Sequence, residues 1–205
     1  MAEMQAIEIP QMTTQTAIIP IKGLSPLIMH KWSEKAKKQM LDNMQGKKKG
    51  KELKDPEAEY RAAIYQLDKT RYGFPVVAFK AATVRGGKLM GQVMTELRQL
   101  MSFKGEYSTI CDQELTEIKG EPHMREDTVR LSRAGSDLRY RPQFDEWEAT
   151  LVIDFFPNLL SLDSLIALIN FGGKTVGVGE WRPEKNGLYG TYEVVPGNIK
   201  IIKEQ

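Results

Sequence analysis

The sequence is poor in the residues that build most metal and nucleophile sites. It has one cysteine, Cys111, and two histidines, His30 and His123. A lone cysteine cannot close an internal disulfide or furnish a multi-cysteine zinc site, which fits a reducing compartment. No H-E-x-x-H or EF-hand pattern occurs. A Cys/His nucleophile pair has no local signature behind it, and Cys111 reads better as a small buried hydrophobe within a strand. No cofactor and no metal is expected. Long apolar runs are missing too. None approaches the ~20 residues of a membrane span, and Met1–Gln5 lacks the basic and apolar regions of a signal peptide. The expectation is a cytoplasmic chain with no membrane partner.

Charge of one sign is also lacking overall: 29 Lys+Arg face 27 Asp+Glu across 205 residues, a net +2. That total gives no reason to expect nucleic acid. Its distribution does. Lys31–Lys54 holds nine lysines against three acids, a net +6, which leaves −4 for the remainder. Pro142–Gly173 carries five acids and neither Lys nor Arg. Basic clusters attract phosphate, and released counterions drive the binding. A solvated lysine loop that only aids solubility is the competing reading. A second basic stretch, His123–Arg141, contains Arg125, Arg130, Arg133, Arg139 and Arg141, with Tyr140 among them. Arginine holds phosphate through a planar fork and stacks on bases. Internal Arg–carboxylate pairing is the alternative there.

The length suits one domain that buries roughly 70% of its unfolded surface. Residues 1–14 read as a polar lead-in, and residues 15–205 as a single α+β domain. Thr16–Gly23 reads as a strand, with Pro20 favouring an edge. Ser33 is a candidate cap for a helix over Glu34–Met44, ended by Gly46. Asp55-Pro56-Glu57 starts a second helix, expected to reach about Leu67. A long helix is expected over Ala78–Met101, with Gly86-Gly87 as a possible kink and its methionines as core filler. Strands are expected at Thr109–Ile118, Thr128–Ser132 and Trp147–Phe156. In the last, alternate residues from Trp147 to Phe155 share a face. A helix then runs from Ser161 to Phe171, stopped by Gly172-Gly173, before strands at Gly187–Val195 and Ile199–Ile202. With residues 31–70 set aside as a helical, Lys-rich, thumb-like insertion after the first strand, the order becomes βαββαβ, a ferredoxin-like core. Residues 119–141 form an Arg-rich loop or hairpin.

Phe171-Gly172-Gly173-Lys174-Thr175 has neither the spacing nor the strand-to-helix context of an ATP-binding loop. The run Gly172–Pro183 is more specific. Gly177 and Gly179 permit close backbone approach, Lys174 and Arg182 flank them, and Trp181 offers a stacking face. Together these suit a single-stranded nucleic-acid backbone. A tight turn with a core tryptophan is the alternative.

Three stretches resemble the repeat-associated mysterious protein (RAMP) superfamily, the backbone subunits of CRISPR effector complexes. They are Ile21–Met29 (I-K-G-L-S-P-L-I-M), Phe74–Arg85 (F-P-V-V-A-F-K-A-A-T-V-R) and the glycine-rich ending Gly177–Tyr192. The second is similar to that family's "I-P-G-S-S-x-K-G-A-x-R" helix start. It keeps Pro75, Lys80, Ala82 and, one place late, Arg85, and has Val76, Val77 and Ala78 in place of Gly and Ser. A group of phage and prophage proteins is similar through R-P-x-F-D-E-W (Arg141–Trp147) and V-G-x-G-x-x-R-P-x-x-x-G-x-x-G (Val176–Gly190).

The resemblance implies a ferredoxin-like fold with a thumb-like insertion, subunits stacked along a single strand, and residence in a bacterial host's cytoplasm. It also implies that the helix start and the glycine loop lie near the strand. Some members cut RNA with an aspartate after the first strand. Asp42 is the nearest candidate, but no acid–base pair supports it, and a non-enzyme is expected.

The leading expectation is therefore a sequence-tolerant binder of single-stranded DNA or RNA, phage-encoded, assembling head-to-tail. Lys31, Lys35, Lys47, Lys48, Lys49, Lys80, Arg85, Arg130, Arg133, Arg139, Lys174 and Arg182 would meet phosphates. Trp32, Tyr140 and Trp181 would stack on bases, and Gly177 and Gly179 would admit the backbone. A CRISPR backbone subunit, or a mimic that binds effector components or guide RNA, is the second expectation. A ribonuclease is the third.

Overall fold

The computed structural model describes residues 11–32, 34–47, 53–131 and 135–203. The first ten residues of the expected lead-in, the Ser33 cap, and Lys48, Lys49 and Arg133 lie outside the described residues, as does the side chain of Lys35.

The chain is α+β. Its larger sheet is antiparallel and runs β10-β1-β9-β6-β3. The strands on that path are β1 (Gln15–Gly23), β3 (Tyr72–Pro75), β6 (Gln113–Lys119), β9 (Glu148–Phe155) and β10 (Tyr192–Val194). Strands β4 (Met101–Lys104), β5 (Glu106–Ser108) and β11 (Lys200–Lys203) pair with β9, β6 and β1 in turn. A smaller sheet, β2-β8-β7, joins β2 (Leu27–Ile28) to a long hairpin of β7 (Pro122–Leu131) and β8 (Gly135–Phe144). The Arg-rich stretch thus falls on paired strands, with Arg125 opposite Arg141.

The core follows from period-two alternation. Ala17, Ile19 and Ile21 of β1 are buried, as are Ala149, Leu151, Ile153 and Phe155 of β9. The two strands pair along eight residues, from Gln15↔Phe155 to Lys22↔Glu148. Helices α3 (Val76–Leu89) and α5 (Leu162–Thr175) pack together over this sheet with Phe79, Ala82, Leu165, Leu168 and Ile169. Burying each large side chain stabilises the fold by roughly 1.5–3 kcal/mol. Phe74, Phe79, Tyr192 and Trp147 continue the core as an edge-to-face series, with centroids 5.6–6.0 Å apart.

Several expectations are corrected. Strand β1 is central, although Pro20 suggested an edge. Its partner β11 ends opposite Ile18 and β10 begins opposite Ile21, so Pro20 faces the gap between them. The missing N–H costs no ladder bond there, and the Pro20 carbonyl accepts from Val195. Helix α2 (Pro56–Ala62) keeps its Asp55 cap, whose Oδ1 accepts from the N–H groups of Glu57 and Ala58, but stops short of Leu67. Beyond it, Asp68 accepts from the N–H groups of Thr70 and Arg71 and folds a turn that competes with helix.

The expected long helix is two helices, α3 and α4 (Met94–Leu100). Gly91, at φ +82, ends the first, and Met101 already belongs to β4. Gly172-Gly173 do not stop α5, and Gly86-Gly87 do not break α3. A Cβ on Gly86 would lie 2.6 Å from the Gly172 Cα, so these glycines let the two helices cross in contact. Cys111 sits in a turn before β6, not within the strand. The insertion between β2 and β3 carries α1 (Glu34–Met44) and α2.

Candidate nucleic-acid interface

Two of the three stretches singled out in the sequence line one cleft, and the third, Ile21–Met29, braces its loop through backbone bonds. Its first wall is the start of α3, where Pro75, Ala78, Ala81 and Ala82 leave a shallow apolar surface. Its second wall is the loop that follows α5. That loop is held in place by backbone bonds: Val178 donates to Gly190, Gly190 to Pro26 and Glu180 to Ile28, at 2.8–3.0 Å. Gly179 has φ +79, and a Cβ there would lie 2.5 Å from the Ile28 carbonyl oxygen, so only glycine fits the turn without strain. Arg182 Nη1 donates to the Gly179 carbonyl at 2.9 Å and fixes the loop from its far side. The cleft between the walls holds about 230 Å³, and His30, Tyr65, Arg85, Glu180 and Arg182 also line it.

Helix α3 carries Lys80, Arg85 and Lys88 and no acid. A second recess of about 280 Å³ flanks its outer face, lined by Val77, Lys80, Ala81, Arg85, Met94 and Arg98 among others. Among the described residues, Lys80 and Arg98 have no ion-pair partner. Arg85 and Arg182 do have one: Arg85 Nη1 and Arg182 Nη2 both reach Glu184 Oε2 at 2.8 Å, joining α3 to the short turn Pro183–Lys185.

Behind the cleft lies a buried charge cluster. Arg141 is 2% exposed, with Nη1 3.1 Å from Asp127 Oδ2 and Nη2 3.6 Å from Glu180 Oε2. Its Nε donates to His30 Nδ1 at 3.4 Å. Asp127 is held a second time by Arg125 Nε at 2.7 Å. The Arg125 guanidinium lies 4.9 Å from the centroid of the Tyr189 ring. Burial first, and then the Arg141 guanidinium, lower the His30 pKa, so the imidazole is neutral near pH 7. For Arg125 and Arg141, internal pairing is the outcome.

The structure brings Lys80, Arg85, Gly177, Gly179 and Arg182 together at the cleft and the adjoining face of α3, with Trp181 next to them on the loop. Trp181 has φ +53, and its carbonyl accepts from Tyr189, leaving the side chain partly exposed. The other candidates lie elsewhere. Lys31 and Trp32 precede α1; the Lys31 N–H donates to Ala63, and Trp32 is 54% exposed. Lys47 donates to Gln45. Lys174 pairs with Glu193 at 3.0 Å. On the hairpin, Arg130 is exposed and Arg139 lies 3.8 Å from Asp137. The Tyr140 hydroxyl has a raised pKa through burial and then Glu126.

His30, Tyr65, Glu180 and Arg98 line the two recesses, yet none was a binding candidate in the sequence. His30 directly follows the quoted stretch Ile21–Met29, and Glu180 lies within the quoted Gly177–Tyr192. Arg98 became visible only when the expected long helix split at Gly91.

No protein-family model and no curated protein sequence matches the chain. Among solved structures, it is similar to a chain in the cryo-EM structure of the Type III-B Cmr-beta bound to cognate target RNA. The TM-score is 0.51 at 10% identity, over 93% of this chain and 61% of that one. The likeness is one of fold, and the chain spans less than two thirds of the length of its neighbour. Among the described residues, no helix is long and apolar enough to cross a membrane.

Proposed function

We propose that the protein binds single-stranded nucleic acid, RNA foremost, along the start of α3 and the glycine loop, as a RAMP-like component of a CRISPR-related assembly. The observation that carries this reading is the juxtaposition itself. Residues 74–85 and 176–182, far apart in sequence, form the two walls of one cleft beside an acid-free helix bearing Lys80, Arg85 and Lys88. The strand order β10-β1-β9-β6, with α3 before β6 and α5 before β10, supports a ferredoxin-like core. A neighbour that is part of an RNA-bound complex supports RNA over DNA. The phosphate backbone would follow the Lys80–Arg85–Arg98 face, and flat bases would meet the apolar patches of Val77 and Met94.

The role proposed is binding, not cleavage. Asp42, the one nuclease candidate from the sequence, lies on α1, and the cleft is lined by other residues. Photocrosslinking with 4-thiouridine-substituted RNA tests the placement. Crosslinked peptides are expected from Phe74–Arg85 and Val176–Arg182. Crosslinks confined to α1 and the β7–β8 hairpin would contradict it.

A further inference from the structure

The cleft has an interior that phosphate binding does not use. Pro75, Ala78, Ala82 and Val178 line it with apolar surface, together with Gly179 and beside the polar side chains of His30, Tyr65, Arg85, Glu180 and Arg182. At about 230 Å³ it is smaller than the roughly 300–1,000 Å³ of sites that enclose a whole small ligand. A cleft of that size suits one flat ring system. Bases of single-stranded RNA are commonly splayed out and read on their Watson–Crick edges.

The polar groups in the cleft have a defined sense. Arg141 Nε can only donate, so His30 Nδ1, 3.4 Å away, must accept, and the neutral ring carries its proton on Nε2. The lowered pKa of His30, from burial and Arg141, keeps that neutral form at pH 7. Glu180 contributes a carboxylate, which accepts only. Its Oε2 lies 3.6 Å from Arg141 Nη2, so one buried guanidinium, itself tied to Asp127, holds both side chains. The cleft therefore presents the two oxygens of one carboxylate and one imidazole donor, beside the Arg85 and Arg182 guanidiniums, which are themselves held by Glu184.

Resting on the nucleic-acid reading above, we propose that this cleft is a guanine subsite. A base turned out of the bound strand donates its N1–H and N2–H to the Glu180 carboxylate and accepts the His30 Nε2–H at O6. Guanine alone among the four bases sets two adjacent donors beside an acceptor on that edge. Adenine and cytosine offer one exocyclic donor next to a ring acceptor, and uracil offers one ring donor between two carbonyls.

Fluorescence anisotropy with labelled RNA nine-mers at pH 7.5 tests this. The probes are all-uridine or carry one central guanosine, inosine, adenosine or cytidine. The guanosine probe is expected to bind about tenfold tighter than all-uridine, the scale of one good bidentate base contact. Inosine, which lacks the N2 amine, should fall between them, and adenosine and cytidine should match uridine. Glu180→Gln should abolish the gap between the guanosine and uridine probes, and His30→Ala should narrow it. The base series on the unaltered protein decides the matter even where a variant fails to fold. Salt-sensitive binding that is equal for all five probes would overturn the subsite alone. No salt-sensitive binding to any probe would overturn the nucleic-acid reading and the subsite with it.

Discussion

The guanidinium of Arg141 is the most buried charge among the described residues, and its partner Asp127 is 7% exposed. A buried pair adds little net stability, but removing one member leaves an uncompensated charge in a poorly solvating interior. Asp127→Ala is therefore expected to cost about 3–5 kcal/mol, read by urea denaturation. His30 adds a pH dependence. Its folded pKa lies below the ordinary value of about 6.5, so between those two values the unfolded chain binds more protons than the folded one. Stability should fall as pH drops through that window, and His30→Gln should flatten the fall, measured by urea melts at pH 5 and pH 7. Five arginines in one stretch were plain in the sequence, but their division of labour was not. Arg125 and Asp127 share a face because they are two apart on one strand. Arg141 joins them only through the register of the hairpin, Arg125↔Arg141, which depends on pairing rather than on local pattern.

Helices α3 and α5 cross at Gly86 and Gly172, and a Cβ on Gly172 would lie 2.4 Å from the Ala82 carbonyl oxygen. Backbone cannot yield as a flexible side chain can. Gly172→Ala should destabilise the protein by about 1–3 kcal/mol, the usual cost of overpacking, despite alanine's better helix propensity. A rise in thermal midpoint would contradict the crossing. The same glycines mark the limit of sequence reading at this scale. Paired glycines signal helix ends when only the chain is seen, and tight helix contact when the partner is seen. Strands with strict alternation, such as β9, were legible because one period fixed their buried face. Strand β3 was not, because Tyr72-Gly73-Phe74-Pro75 is too short to alternate and carries two turn-forming residues. The cleft was half legible: its two walls, Glu180 among them, were marked by the quoted stretches, but His30 joins it through the fold, where the Glu180 N–H donates to the Ile28 carbonyl.

Across the whole molecule, the near-neutral total conceals an uneven surface. Part of the acidic segment is consumed internally, since Asp145 pairs with His123 and Asp154 with Lys104. Glu146, Glu148 and Asp163 remain exposed. Part of the lysine segment is consumed too: Lys54 reaches Asp137 at 2.6 Å and the Leu138 carbonyl, fastening the hairpin to the start of α2. The cations that remain beside the cleft are those of α3 and α4, which makes Lys80 and Arg98 the decisive pair. The most direct test of the account is the slope of log affinity against log salt for a labelled single-stranded RNA, measured for the unaltered protein and for Lys80→Glu/Arg98→Glu. The account predicts a steep slope for the unaltered protein. The double variant should bind more weakly, with a slope shallower by about 1.4, the loss of two phosphate contacts at roughly 0.7 each. Binding whose affinity and salt slope are unchanged in the double variant would contradict it.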